Sequence, residues 1–116
     1  MIGIDLIEIA RIAQFADRYG ASGLKRFLND NEFTRAKKAE TIAGIWAAKE
    51  AVAKALGCGI GGELGFHDIT IEKSANGAPR AVLSPKAATR HGIKRLALSI
   101  THEKRYAVAV AMRLLV

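Results

Sequence analysis

Thr41 to Leu56 reads TIAGIWAAKEAVAKAL and runs directly into GCGIGG at Gly57 to Gly62. The first stretch is rich in alanine and free of proline, which predicts a long helix. The glycines after it supply the backbone freedom that ends one. On a helical wheel Ile42, Ile45, Val52 and Leu56 form an apolar stripe, and Lys49 falls inside it. Trp46 and Glu50 share an adjoining line, with Lys54 one turn beyond Glu50. As plain structure, Glu50 and Lys54 are an i, i+4 surface pair worth roughly a few tenths of a kcal/mol. Lys49 would then snorkel past its neighbours.

Upstream, Met1 to Ile7 reads as a short apolar strand carrying one carboxylate, Asp5. Ile9, Ile12, Ala13 and Ala16 fall at helical spacing, so Glu8 to Tyr19 predicts a helix with Gly20 as its stop. Short helices are expected at Ser22 to Asn29 and at Asn31 to Lys38. Downstream of the glycines the texture changes. Ile69 to Ile71 and Ala81 to Leu83 can pair as a hairpin around Asn76-Gly77. Ser84 and Pro85 open a short helix to His91. Leu96 to Thr101 and Tyr106 to Ala111 read as two further strands. Strand, helices, then strands predict an α+β domain.

With 116 residues the chain has the size of one domain, so residues 1-116 are expected to share one core. Twenty-one alanines carry much of an apolar share of 50%, while aromatics are 6%. Alanine buries little area, so close-packed helices and a core completed by a partner subunit are expected. Eighteen Lys and Arg against eleven Asp and Glu give +7, which favours an anionic partner. Cys58 is the one cysteine, so no intrachain disulfide can form and a reducing compartment is implied. Asp5 and Glu8 interrupt the N-terminal apolar run, which excludes a signal peptide. No run of eighteen apolar residues exists to cross a membrane as a helix. A cytoplasmic protein is expected.

Asp5 is costly to bury without a partner. Strand alternation sets Gly3, Asp5 and Ile7 on one face and Ile2, Ile4 and Leu6 on the other. Asp5 could lie on a wet face or cap the helix that follows. Residues 57–62 contain G-x-G-x-x-G, but a helix precedes them where the dinucleotide motif needs a strand. Gly59 to Gly62 also matches the GXXG loop of KH domains, making a small basic RNA-binding module the alternative reading. The loop could equally be a helix cap, or could bring backbone N–H groups to a phosphate. His102, ending an apolar strand before two basic residues, is placed for an anion contact. No His or Cys pair has zinc-ligand spacing, and no Ser-His-Asp order is recognisable.

Taken together these segments resemble a known family. Gly3 to Ile12, GIDLIEIARI, resembles the opening G-x-D-x(5)-R-[IV] motif of the 4′-phosphopantetheinyl transferases. Trp46 to Ala55, WAAKEAVAKA, is similar to that superfamily's W-x-x-K-E-[AS]-x-x-K motif. Gly57 to Gly61 resembles its G-[TC]-G-I-G run, and Ser99 to His102 its S-[IL]-[ST]-H segment. Order, spacing and length are similar to those of the small bacterial holo-acyl-carrier-protein synthases.

The resemblance implies the 4′-phosphopantetheinyl transferase fold, a small antiparallel sheet packed with one long and several short helices. It implies transfer of 4′-phosphopantetheine from coenzyme A to a serine of an apo acyl carrier protein, with release of 3′,5′-ADP. Asp5 and Glu50 would be Mg2+ ligands, which leaves sites for water and pyrophosphate oxygen. Glu50, or a water held by Asp5, would remove the serine proton. Lys54 would neutralise the leaving group. Lys49 would point to the phosphates or support the site. Gly59 and Gly61 would admit coenzyme A to the backbone, and Thr101 and His102 would contact it.

The resemblance further implies a homotrimer with interfacial sites, so that His102 comes from the neighbour of the chain giving Asp5 and Glu50. Neither nucleic acid nor a membrane is among the implied partners. The first helix would dock the acidic carrier protein through Arg11 and Arg18, with Phe15 as apolar anchor. Most members carry Arg where Ile45 stands and a basic residue where Ala78 stands, and are longer over 29–40.

Overall fold

The structure is a computed structural model, and it describes residues 1–113. Strand β1 (Ile2–Glu8) leads into helix α1 (Ile9–Leu24), then α2 (Asp30–Arg35) and the long α3 (Ala39–Ala55). A single 3-10 turn (Phe66–Asp68) precedes β2 (Ile69–Lys73), β3 (Pro79–Leu83), α4 (Pro85–His91), β4 (Arg95–His102) and β5 (Tyr106–Met112). The five strands form one sheet in the order β1-β5-β4-β3-β2, every pair antiparallel. This is the expected α+β fold.

Helix α3 crosses one face of the sheet, and small residues set the closeness of that crossing. Ala43, Ala47, Ala48, Ala51, Ala53 and Ala55 are fully buried, as are Ala107, Ala109 and Ala111 of β5 opposite. Near the start of α3 a Cβ on Gly44 would lie 3.1 Å from the Ile100 side chain of β4. Toward its end the helix lies on β1: a Cβ on Gly3 would overlap the Ala51 carbonyl oxygen and stand 2.6 Å from the Ala55 nitrogen. Glycine is therefore required at position 3 for the helix to reach the strand. The predicted stripe is buried, with Ile42, Ile45, Val52 and Leu56 all in the core.

The opposite face of the sheet is largely apolar and, among the described residues, uncovered. Ile2, Ile4 and Leu6 are each more than half exposed, and register places them beside Met112, Val110 and Val108 of β5. Those three pair in turn with Ala97, Ser99 and Thr101 of β4. The face of β1 that turns inward carries Gly3, Asp5 and Ile7. Asp5 thus lies against α3, not on a wet face. The N-terminus of α1 has no side-chain cap, so Asp5 does not cap it either.

Several boundaries differ from expectation, and α2 ends at Arg35 and not at Lys38. Gly20 adopts φ 60, ψ −155 and breaks α1, but the helix resumes to Leu24. No separate helix covers Ser22 to Asn29, because Phe27 and Leu28 turn into the core instead. The edge strand β2 is covered by α2: the Ile71 N–H donates to Glu32 Oε2 at 2.7 Å, and Arg35 Nη2 donates to the Ile71 carbonyl at 2.6 Å.

Candidate active site

The contact of Gly3 with α3 decides where the carboxylates meet. Residue 5 points to the same face as residue 3, two positions along the strand. It therefore arrives beside the last turns of α3. Lys54 Nζ donates to Asp5 Oδ1 at 3.2 Å and to the Ile4 carbonyl at 3.0 Å. Glu50, one turn earlier on α3, shares this corner. Burial pushes its carboxyl above the ordinary glutamate range, Asp5's charge adds to the rise, and Lys54 opposes it. Lys54 is thus no simple helix-surface partner of Glu50; it bridges to another element.

This corner holds two carboxylates beside one ammonium, whose side chain is 52% exposed. A carboxylate with a raised pKa is a stronger base than usual, and an exposed ammonium can follow an anionic substrate. No group of three His, Cys, Asp or Glu able to hold a metal occurs among the described residues. Asp5 and Glu50 are two carboxylates that could ligate a hard cation whose other ligands were water and phosphate oxygen.

Lys49 requires a correction. Its side chain is fully buried and turned away from this corner. Nζ lies 2.7 Å from Glu32 Oε1 and donates to the Phe27 and Phe66 carbonyls at 2.7 and 3.1 Å. An ammonium so enclosed has no path to a phosphate, and it does not snorkel. It pins α3 to α2 and to the turn before β2. Glu32 was missed as its partner, although Asn29 and Glu32 carry the Asn-x-x-Glu spacing of a helix start. The Asn29 N–H does donate to Glu32 Oε1 at 2.7 Å.

The glycine loop is open on its outer side, since a Cβ at Gly59, Gly61 or Gly62 would meet nothing within 4 Å. Gly57 and Gly59 have φ of 80 and 67, which favours glycine at both. The N–H groups of Gly59 and Gly61 already donate, to the Ala53 and Leu64 carbonyls. What this loop offers at those two positions is close approach, not free donors. Only the 3-10 turn at 66–68 follows it before β2, so the helix that a KH-type GXXG loop requires is missing.

Thr101 and His102 are exposed at the end of β4. His102 lines a cavity of about 250 Å3 formed beside the first turns of α3, with Gly44 and Ile45. It also borders a shallow depression on the uncovered sheet face with Thr101 and Leu6. It is not joined to Asp5 or Glu50 within the chain by any hydrogen bond or ion pair. On α1, Arg11 and Arg18 are exposed, but Phe15 is half-buried, its ring centroid 4.9 Å from Tyr19 and 6.1 Å from Phe27. The exposed aromatic of this helix is Tyr19, with the Arg18 guanidinium 5.3 Å over its ring. Tyr19, which sequence spacing did not single out, is thus the aromatic that α1 leaves most open to solvent.

The chain has known relatives in sequence and fold. Holo-[acyl-carrier-protein] synthase of Wolinella succinogenes is 56% identical over 110 residues, covering 95% of this chain and 93% of the relative. The protein of the same name from Nitratiruptor sp. is 54% identical over 112 residues, covering 97% of each. The crystal structure of Helicobacter pylori holo-[acyl-carrier-protein] synthase in complex with coenzyme A superposes with a TM-score of 0.92 at 43% identity, covering 97% of this chain and 98% of that one. The family model of the 4′-phosphopantetheinyl transferase superfamily matches residues 1–111, a span that holds Gly3, Asp5, Glu50, Lys54 and His102. By sequence and by fold, this chain belongs to the 4′-phosphopantetheinyl transferase superfamily.

Proposed function

We propose that residues 1-116 form one catalytic domain that transfers 4′-phosphopantetheine from coenzyme A to a serine of an apo acyl carrier protein. The observation that carries this reading is the meeting of Asp5, Glu50 and Lys54 across β1 and α3. The serine oxygen attacks the phosphorus that bears pantetheine. The bond from that phosphorus to the oxygen of the second phosphate breaks, and 3′,5′-ADP leaves. Glu50, with its raised pKa, takes the serine proton, directly or through a water held beside Asp5. Lys54 swings from Asp5 to the leaving phosphate and offsets its charge. Asp5 and Glu50 would hold Mg2+, which when bound neutralises the pyrophosphate.

The uncovered apolar face supports a homotrimer. A patch of this kind on a small soluble chain marks an interface. His102 borders that face and is unconnected to the carboxylates of its own chain, so the partner subunit's His102 would complete each site. The exposed Arg11 and Arg18 of α1, the latter over the Tyr19 ring, suit an acidic carrier protein. No described helix is long and apolar enough to cross a membrane, and a cytoplasmic location fits the substrates. A mass spectrum tests the reaction. Apo carrier protein incubated with the chain, coenzyme A and Mg2+ should gain the mass of one 4′-phosphopantetheine, and a chelator should prevent it. Absence of that gain with a competent carrier protein would overturn the reading.

A further inference from the structure

Aromatic residues are few, yet five of them lie in one continuous row that crosses from α1 to α3. From the surface inward, ring centroids of Tyr19 and Phe15 are 4.9 Å apart, those of Phe15 and Phe27 6.1 Å, and those of Phe27 and Trp46 5.0 Å. Phe66 closes the inner end, 6.0 Å from Phe27 and 4.8 Å from Trp46. Phe27 is the junction. It is 2% exposed, it meets Trp46 edge to face at 87°, and its carbonyl accepts from the buried Lys49 Nζ at 2.7 Å. Ring and backbone of Phe27 are thus both fixed to α3. The first turns of α1 are held by the buried Ile9 and Ile12. Past them, and before the break at Gly20, the large side chain that packs against the core is Phe15, with Phe27 beside it. Ring pairs prefer particular angles, so an aliphatic side chain of similar bulk fills the space without reproducing the orientation.

We infer that Phe27 is a positioning residue for carrier-protein recognition, holding the outer half of α1, with Arg18 and Tyr19, at a fixed place relative to Glu50 on α3. The inference rests on the reading of α1 as the docking helix. Trp46 stands one turn before Glu50 on the same face of α3, so the row of rings ends one turn from the base. A carrier protein seated on α1 delivers its serine to Glu50 across the spacing of the two helices. A misplacement of about 1 Å at such a junction costs up to about a hundredfold in rate. Coenzyme A makes no use of α1 in this reading, so its binding is indifferent to the same displacement.

The test measures kcat and KM for carrier protein, and KM for coenzyme A, in Phe27→Leu and Phe66→Leu. Both take a ring away from Trp46, but only the first removes the support of Phe15. Phe27→Leu should lower kcat/KM for carrier protein by about tenfold and leave KM for coenzyme A unchanged. Phe66→Leu should lose comparable thermal stability and keep the parental kcat/KM for carrier protein. Phe27→Met, which keeps more of the bulk, should lower that ratio by about threefold and serves if the leucine variant does not fold. If Phe27 only fills the core, its variants lose stability and keep the parental kcat/KM for carrier protein, or lose no more of it than Phe66→Leu does. Either result overturns the inference alone. A matching rise in KM for coenzyme A would mean that α3 itself has moved, and overturns it as well. If Arg18→Glu leaves the KM for carrier protein unaltered, the docking reading falls and this inference with it.

Discussion

At Glu50 burial and the charge of Asp5 both favour the protonated form, and Lys54 opposes them. A carboxyl whose pKa is raised on folding binds its proton more tightly in the folded state. The folded state is then penalised as pH rises from the ordinary glutamate value through the raised one. The penalty grows from the ordinary glutamate value upward, is complete above the raised one, and is absent below about pH 4. Glu50→Gln should therefore melt at a higher temperature than the parent at pH 7 in chelating buffer, and the gain should vanish near pH 4. The same variant should lose transfer by on the order of a hundredfold. A lower melting temperature at pH 7 would show that attraction to Lys54 outweighs burial and Asp5. Lys49 presents the converse case, a buried charge with its partners in place. Lys49→Ala strands Glu32 and should cost about 3–5 kcal/mol by denaturant unfolding. The KM for coenzyme A of the remaining folded protein should stay unchanged. A raised KM with stability intact would return Lys49 to the phosphates.

Among the elements, the crossing of α3 over β1 has the least room. Gly3→Ala places a methyl group against the Ala51 carbonyl and the Ala55 nitrogen, both backbone atoms of a packed helix. The strand must retreat, and Asp5 retreats with it. Stability should fall by about 1–3 kcal/mol, as for overpacking elsewhere. Transfer should fall more than stability explains, because Asp5 loses its registry with Lys54. An active variant with parental kcat would mean that Asp5 tolerates the shift. Such long-range fits explain what the sequence could and could not reveal. Helix α4 was legible to the residue, since Ser84 accepts from the Ala87 N–H and Gly92 closes the helix at φ 68. Its determinants are local. The strands were legible from their composition and from the Asn76-Gly77 turn, but not which face of β1 would be covered, because that depends on α3. Lys49 stood out as a charge in an apolar stripe. Its partner Glu32 lies in another helix and had no periodic signal linking the two. Phe27 and Leu28 look like part of a helix in isolation, and they leave it because the core takes their side chains.

At the scale of the whole molecule, one face of the sheet is lined by apolar side chains and nothing among the described residues covers it. Ile2, Ile4 and Leu6 are 63%, 59% and 58% exposed, with Met112 at 46%. Chains that bury this face on one another would bring His102, at its border, toward a neighbour's carboxylate corner. Sedimentation should then give three times the mass of 12.4 kDa, and Leu6→Lys should shift it toward one. A division of labour between subunits can be tested by mixing. Glu50→Ala and His102→Ala chains should each be nearly inactive alone. When they are unfolded together and reassembled in equal amounts, each interface draws its corner and its histidine from independent chains. An intact pair needs a corner from the His102→Ala chain and a histidine from the Glu50→Ala chain. Random assembly gives that pairing at about a quarter of the interfaces, so about a quarter of parental activity should return. If His102 served the corner of its own chain, no intact pair could form and mixing would restore nothing. That outcome would place the complete site within a single chain and remove the functional reason for the trimer.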